Sequence, residues 1–442
     1  MSNVSNLSSG KSLPVLALAF CLHMPSAHAQ AVLQRVTPTP GTQANADSTA
    51  VDISANGRVL VFQSSATNWT GAATNNQSKI VWVDLANSDV RVISTLADNT
   101  TALISGNSDP AVSQNGQYVA FVTTATNAPF AGASGQRLVR KNIFSGELVL
   151  VSASSAGTPA LGSSGGQAEA PNISDDGRFV SFSSDANNLV SGDSPQTTDV
   201  FVKDLSTNQI DLITQTTSSG FSNGVDFNTS TGMSADGNLV VFEAGGPGFV
   251  AGVTTSIVQV YLRNRATGST ELISRTPTGL PASNNSGPSA ISANGRFVSF
   301  RSSASNLIPG SSNVQRIFVL DRSLNSMSEI ALPQLDGAPA ARCDSSAVAD
   351  DATVILTCSN FSNRQVFVRR PGGVVQLLSQ NASGTQGNAQ ATAEVTLNAN
   401  AQAFAFVSPA SNLVPNDTNA FLDVFYQVDP ALLSGLFANG FE

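Results

Sequence analysis

An all-β, seven-bladed β-propeller with four antiparallel strands per blade is predicted by three features of this 442-residue sequence. A repeat of about sixty residues runs through the chain, each copy alternates with a strand period, and an orphan strand at the front supplies what the last copy lacks. The repeat is traced by a turn written Ser-x-x-Gly. It stands at Ser54-Ala55-Asn56-Gly57, Ser113-Gln114-Asn115-Gly116, Ser174-Asp175-Asp176-Gly177, Ser234-Ala235-Asp236-Gly237 and Ser292-Ala293-Asn294-Gly295. Degenerate copies follow at Ala349-Asp350-Asp351-Ala352 and Asn398-Ala399-Asn400-Ala401. Successive fourth positions are 59, 61, 60, 58, 57 and 49 residues apart.

Asn-Gly and Asp-Gly are hairpin signals because both turn residues must tolerate positive φ. The innermost strand of each copy precedes the turn, and an apolar run follows it at 59–62, 118–121, 179–182, 239–242, 297–300 and 403–406. A Phe recurs five residues beyond the Gly in the intact copies, on one face of that second strand. Third strands are expected at 80–85, 137–143, 199–205, 259–265, 316–322, 365–370 and 423–428, and fourth strands at 90–94, 148–152, 210–214, 270–274, 327–332 and 374–379. The repeats then span 48–95, 107–153, 168–215, 228–275, 286–332, 343–380 and 391–429, with 30–430 as one propeller. The seventh copy stops after its third strand. Residues 32–37, Val-Leu-Gln-Arg-Val-Thr, fit the fourth-strand pattern and should complete it, hiding two sheet edges at once.

Residues 1–29 read as a secretory signal, with Lys11 before an apolar stretch at 13–22 and Ala27-His28-Ala29 as a small-x-small cleavage site. Phe20 before Cys21 is too bulky for a lipoprotein cysteine. Both histidines, His23 and His28, fall inside the signal, so the mature chain has none, which removes Ser-His-Asp, Cys-His and His-ligated zinc chemistry. Without Lys11 the balance is 20 basic against 30 acidic side chains, a net charge of about −10. Such a surface repels phosphates, so nucleic acid is excluded as a partner. No later apolar run approaches the roughly 20 residues of a membrane helix. The expectation is a soluble, exported monomer, secreted or periplasmic.

The string at 173–184, Ile-Ser-Asp-Asp-Gly-Arg-Phe-Val-Ser-Phe-Ser-Ser, continued by Asn-Leu-Val-Ser-Gly-Asp at 188–193 and Asp-Val-Phe-Val-Lys-Asp at 199–204, resembles the TolB-like propeller repeat, a relative of the WD-repeat. The resemblance covers nearly all of the mature chain and is most specific in the third and fifth copies. It implies a propeller that works as a periplasmic or secreted interaction module, although such propellers also decorate peptidases and lyases. The additional N-terminal domain of TolB and a hydrolase domain are not expected here. The turn lacks the Ser-x-Asp-x-Gly-x-Thr-Trp spacing of the sialidase Asp box. The last eight residues, 435–442, look like a short tail found on some exported proteobacterial proteins.

Three groups of residues carry candidate chemistry. Cys343 and Cys358 flank the sixth turn with seven residues on each side, so in an oxidising compartment they should pair and stabilise the weakest blade by about 2 to 3 kcal/mol. Asp109, Glu169, Asp344 and Glu394 stand at or next to one level of the innermost strands, where they would ring a channel mouth and bind a cation or a basic group. Asp417, Asn419 and Asp423 offer oxygen ligands at alternating spacing that suit calcium, against a plain turn capped by Asp and Asn side chains. Lys141 and Lys203, in third strands, are expected to be exposed. No residue set converges on catalysis. The leading reading is a non-catalytic exported binding propeller for a protein or glycan partner, with a carboxylate-dependent glycosidase or lyase and a structural surface protein as the competing classes.

Overall fold

The turn that traces the repeat is also what starts each blade. In the first copy the Ser54 hydroxyl donates to Asn56 Oδ1 at 2.7 Å and accepts the Val59 amide at 2.9 Å, while Asn56 Oδ1 accepts the Arg58 amide at 3.0 Å. The same bonds recur around Ser174 and Asp176, and around Ser292 and Asn294. Short polar side chains that bond nearby backbone favour a turn over a continued strand. The Gly is required twice over: Gly177 has φ +72°, and a Cβ there would lie 2.3 Å from the Tyr118 ring of the preceding blade.

The computed structural model describes residues 32–69, 77–130, 135–161, 168–192, 198–217, 231–310, 313–360, 363–430 and 432. The signal and the tail therefore lie outside the described residues. Blade 1 comprises Ser48–Ile53, Val59–Ser64, Lys79–Asp84 and Asp89–Val92; blade 2, Asn107–Val112, Tyr118–Thr123, Arg137–Asn142 and Leu148–Leu150. Blade 3 comprises Ala168–Ile173, Phe179–Ser184, Asp199–Asp204 and Ile210–Leu212; blade 4, Thr231–Met233, Leu239–Ala244, Gln259–Asn264 and Ser269–Leu272. Blade 5 comprises Ser286–Ile291, Phe297–Ser302, Arg316–Asp321 and Ser326–Ile330; blade 6, Arg342–Val348, Val354–Asn360, Asn363–Arg369 and Val375–Leu377. In each, neighbours in sequence are neighbours in the antiparallel sheet. Blade 7 takes Val395–Leu397, Ala403–Ser408 and Asp423–Val428 from the C-terminal end of the chain and its outer strand, Gln34–Arg35, from the front.

The seven-bladed ring is thus closed by the N-terminal strand, with Gln34 opposite Tyr426 and Arg35 opposite Phe425. The closing strand is shorter than the expected 32–37, although the Val36 amide still reaches Val424 O at 2.9 Å. Thr37 and Pro38 follow, and a proline both lacks a ladder donor and restricts the residue before it. Five of the other fourth strands are short for a different reason. Ser94, Thr214, Ser152, Ser274 and Ser379 leave the ladder and turn their hydroxyls back onto third-strand amides at 2.9–3.2 Å, so a side chain replaces the last backbone bond.

Each blade is covered by a neighbour on both faces, so the second strands bury both sets of side chains. Val59, Leu60, Val61 and Phe62 are all at most 1% exposed, and the recurrent Phe121, Phe182, Phe242 and Phe300 are at 0%. Burying one such ring contributes about 1.5 to 3 kcal/mol. Lys141 and Lys203 correct an expectation, because both are fully buried. Lys141 Nζ donates to Thr95 O and Oγ1 at 3.0 Å and to Leu96 O. Lys203 Nζ donates to Ala153 O, Ser154 O and Asn208 O at 2.9–3.0 Å. An ammonium is tolerated inside when carbonyls replace its water, and burial pushes both lysines down to about 8.

Candidate functional site

The inner strands enclose an axial channel of about 380 Å³ to which every blade contributes. Two residues before the turn-opening position its wall is Asp52, Ala111, Asn172, Gly232, Ala290, Ala347 and Thr396. Small residues dominate because seven strands crowd one axis. At the mouth nearest the turns the blades are stitched to each other. The amide of Asn56 donates to Gln114 O, Gln114 to Asp175 O, Asp175 to Ala235 O, Ala235 to Ala293 O, Asn294 to Asp350 Oδ1, Asp350 to Ala399 O, and Ala399 to Ala55 O, all at 2.8–3.3 Å. Those links close a ring, and in one of them a carboxylate stands in for a backbone carbonyl.

Among the described residues two carboxylates, Asp52 and Asp175, line the channel. Asp52 accepts the Ile53 amide at 2.8 Å, the Val112 amide of blade 2 at 3.0 Å and the Thr396 hydroxyl of blade 7 at 3.2 Å, tying three blades at one point. Burial nevertheless pushes it up to about 6. Asp175, at the turn-side mouth, is also pushed up to about 6, first by burial and then by the like charges of Asp176, Asp350 and Asp236. Among the described residues no ion pair forms at Asp175.

Of the four carboxylates singled out in the sequence, three have described side chains. Asp109 is exposed at a β-bulge of blade 2, with φ +51°, and accepts the Ser108 hydroxyl at 2.8 Å. Asp344 is ion-paired with Arg301 of blade 5 and, at 3.4 Å, with Arg342. Glu394 Oε2 accepts the Ala50 amide of blade 1 at 3.0 Å and the Thr392 hydroxyl at 3.3 Å. Glu169 belongs to Ala168–Ile173, but its side chain is outside the described residues. None of the three described side chains lines the channel. They stand before the lining, at the ends of the inner strands away from the turns, and two of them are occupied by donors of neighbouring blades.

Asp417 and Asp423 do come together, around a cation of the chain itself. Arg35 Nη1 lies 2.7 Å from Asp417 Oδ1 and 3.5 Å from Asp423 Oδ2. Asn419 stays beside them, its side chain hydrogen-bonded to Asp423 and donating to Ala44 O at 3.2 Å. Among the described residues no group of three His, Cys, Asp or Glu gathers as a metal site, and no helix is long and apolar enough to cross a membrane. Cys343 and Cys358 are cross-strand partners joined as a disulfide, with Cα atoms 4.1 Å apart and both side chains buried.

A further carboxyl that the sequence reading did not single out is buried in blade 4. Glu243 of blade 4 is 7% exposed, accepts the Ser289 hydroxyl at 3.3 Å and is pushed up to about 7, chiefly by burial. Its sequence signal is a lone charge in the apolar run Leu-Val-Val-Phe-Glu-Ala, at a position that holds Arg301 in blade 5 and Gln63 in blade 1.

No family model and no curated protein matches the sequence. Solved structures do resemble it. The β-propeller domain of the Trilobed protease from Pyrococcus furiosus, described as having an open velcro topology, is 11% identical with a TM-score of 0.52, over 87% of this chain and 94% of that one. A structure from a study of two prolyl endopeptidases is 13% identical with a TM-score of 0.50, and this chain spans 46% of its length. TolB from Acinetobacter baumannii is 14% identical with a TM-score of 0.40, over 75% of this chain and 65% of that one. At these identities the first two likenesses speak for the fold alone.

Proposed function

We propose that this chain is a non-catalytic binding propeller that takes a basic group of a protein partner at the turn-side mouth of its channel. The observation that carries the reading is Asp175, a carboxylate on the channel wall held among Asp176, Asp236 and Asp350. Gathered like charges cost free energy that a partner's cation offsets. A glycan-cleaving reading finds less support, since the four carboxyls raised most among the described residues, Asp52, Asp175, Glu243 and Asp423, owe it first to burial. The disulfide supports an oxidising, extracytoplasmic location, because such bonds are rare in reducing compartments. We read 1–29 as the export signal that takes the chain there.

The reading is tested by capture from periplasmic extract and culture medium with the mature chain and with the double variant Asp175→Asn, Asp350→Asn. Asn at 350 keeps an acceptor for the Asn294 amide, so the ring of turns is preserved. Capture that weakens in the variant and falls with salt supports the proposal. Equal capture by both, or binding to neutral glycans alone on an array, overturns it.

A further inference from the structure

The closing strand is held in an unusual way. Every other outer strand follows its own third strand after a short turn, whereas Arg35 faces Phe425 across 390 positions of sequence (425 minus 35). Its ladder contains two residue pairs. Beside it stand the Val36 amide on Val424 O, the Tyr426 hydroxyl on Gln34 Oε1 at 2.8 Å and the buried Val36 side chain, and the charged part of the attachment is the Arg35 side chain, 8% exposed, set against Asp417 and Asp423, each 3% exposed. Arg35 Nη1 and Nε make no well-aligned hydrogen bond, so the contact is charge pairing rather than a fixed fork.

The chain behind this strand is anchored separately. The Gln43 side chain donates to Asn416 O and to Thr418 Oγ1 and accepts the Asn419 amide, Asn419 donates to Ala44 O, and the Leu422 amide donates to Asp47. Between anchor and strand lie Thr37-Pro38-Thr39-Pro40-Gly41, with Gly41 at φ +80° and open space around it. Gly41 is the point at which the strand can swing without disturbing the anchored residues behind it.

We propose that Gln34–Arg35 is a releasable donor strand keyed by Arg35, and that the edge it leaves on Asp423–Val428 accepts the same strand from a second copy of this chain. An open edge is a template for another strand, and two buried carboxylates without their guanidinium select one that carries Arg in this register. The N-terminal strand of a second copy meets both demands. Exchange of an identical element restores every contact and gives a dimer at little cost. The inference does not depend on the channel reading.

The test uses the intact chain and its Arg35→Gln variant. Hydrogen exchange of the amides at 35, 36 and 424–426 should be faster than in the inner strands, and at least tenfold faster again in the variant, with residues 43–48 unchanged. A labelled peptide of residues 31–37 should bind the intact chain slowly and saturably, and its Arg35→Gln form at least tenfold more weakly. Mixed heavy and light dimers should appear after co-incubation at high concentration. If the variant does not fold, peptide and dimer results on the intact chain decide. Equal binding of both peptides, exchange that rises alike in all blades, or a chain that stays monomeric and takes up no peptide each overturns the proposal.

Discussion

Blades 3 and 6 occupy equivalent places in the ring and build the same four strands from different chemistry. Blade 3 uses the full set: Ser174 and Asp176 bond the turn, Gly177 takes the left-handed position, Phe182 fills the interface beside Phe201, and Arg178 grips Asp204 with two bonds of 2.9 and 2.6 Å. Blade 6 has Ala349, Ala352 and Thr357 at the Ser, Gly and Phe positions. Its turn is held instead by Asp351, which accepts the Thr353 amide at 2.8 Å and the Thr353 hydroxyl at 3.0 Å. Its far end is held by the Cys343–Cys358 disulfide and by the hairpin Gln334–Leu335 with Ala338–Pro339, whose Asp336 accepts from Asn360, Asn363 and Gln386. A blade therefore needs a bonded turn and a sealed interface, and a covalent link takes over where local chemistry is missing.

The largest effect should come from removing what blade 3 has and blade 6 lacks. Phe182→Ala opens a cavity at a site with no exposed surface and should cost about 3 to 5 kcal/mol in denaturant unfolding. Loss under 1 kcal/mol would mean that the recurrent Phe does not hold the interface. Next in size is the device blade 6 has and blade 3 lacks. Cys343→Ala with Cys358→Ala removes a link closing 15 residues and should cost about 2 to 3 kcal/mol. Hydrogen exchange should rise most in Arg342–Val348 and Val354–Asn360; a uniform rise would deny the local compensation.

The features of these blades that are legible in the sequence are those where a side chain acts on its own neighbourhood. Ser-x-Asx-Gly bonds itself, so the turns, the blade count, the closure and the disulfide can all be read. The channel residues Asp52 and Asp175 cannot, because Asp52 is defined by an amide of blade 2 and a hydroxyl of blade 7, and Asp175 by carboxylates that other blades bring to the same mouth. Lys141 and Lys203 mislead for the same reason: their partners are backbone carbonyls, which leave no residue signature. The carboxylates that do stand out, Asp109, Asp344 and Glu394, are visible because they interrupt runs of small residues, yet Asp344 and Glu394 serve contacts between blades.

Smaller changes should move blade 6 toward blade 3. Ala352 holds φ +69° without being Gly, so Ala352→Gly should remove left-handed strain and stabilise by about 0.5 to 1 kcal/mol net of the entropy that Gly adds to the unfolded chain. Thr357 has a buried hydroxyl that finds no partner among the described residues. Thr357→Val keeps the shape and should gain about 1 kcal/mol. A melting temperature lowered by either change would show that blade 6 has been tuned around its own residues.

The smallest predicted effect tests whether blade 6 draws on blade 5 at the expense of blade 4. Glu243 is held at about 7 against an ordinary 4.5, first by burial, and the charge of Arg301 only partly offsets this. Arg301 is committed elsewhere: its Nε donates to Gly287 O at 2.8 Å, and it is ion-paired with Asp344 of blade 6. Since the folded value lies above the unfolded one, folding binds protons in this window. Stability from this group is therefore fullest below about pH 4.5 and is lost as pH rises through about 7. Asp344→Asn withdraws the competing carboxylate, so the full charge of Arg301 acts on Glu243 and lowers its folded value. The decline in stability between about pH 5 and 8 should become shallower by roughly 0.5 kcal/mol, a fraction of a pH unit in linkage terms. Glu243→Gln should abolish this part of the decline and make the Asp344→Asn change silent in the pH profile. An Asp344→Asn profile parallel to that of the parent would mean that the Gly287 carbonyl fixes Arg301 regardless of blade 6, and that the two neighbouring blades are electrostatically independent.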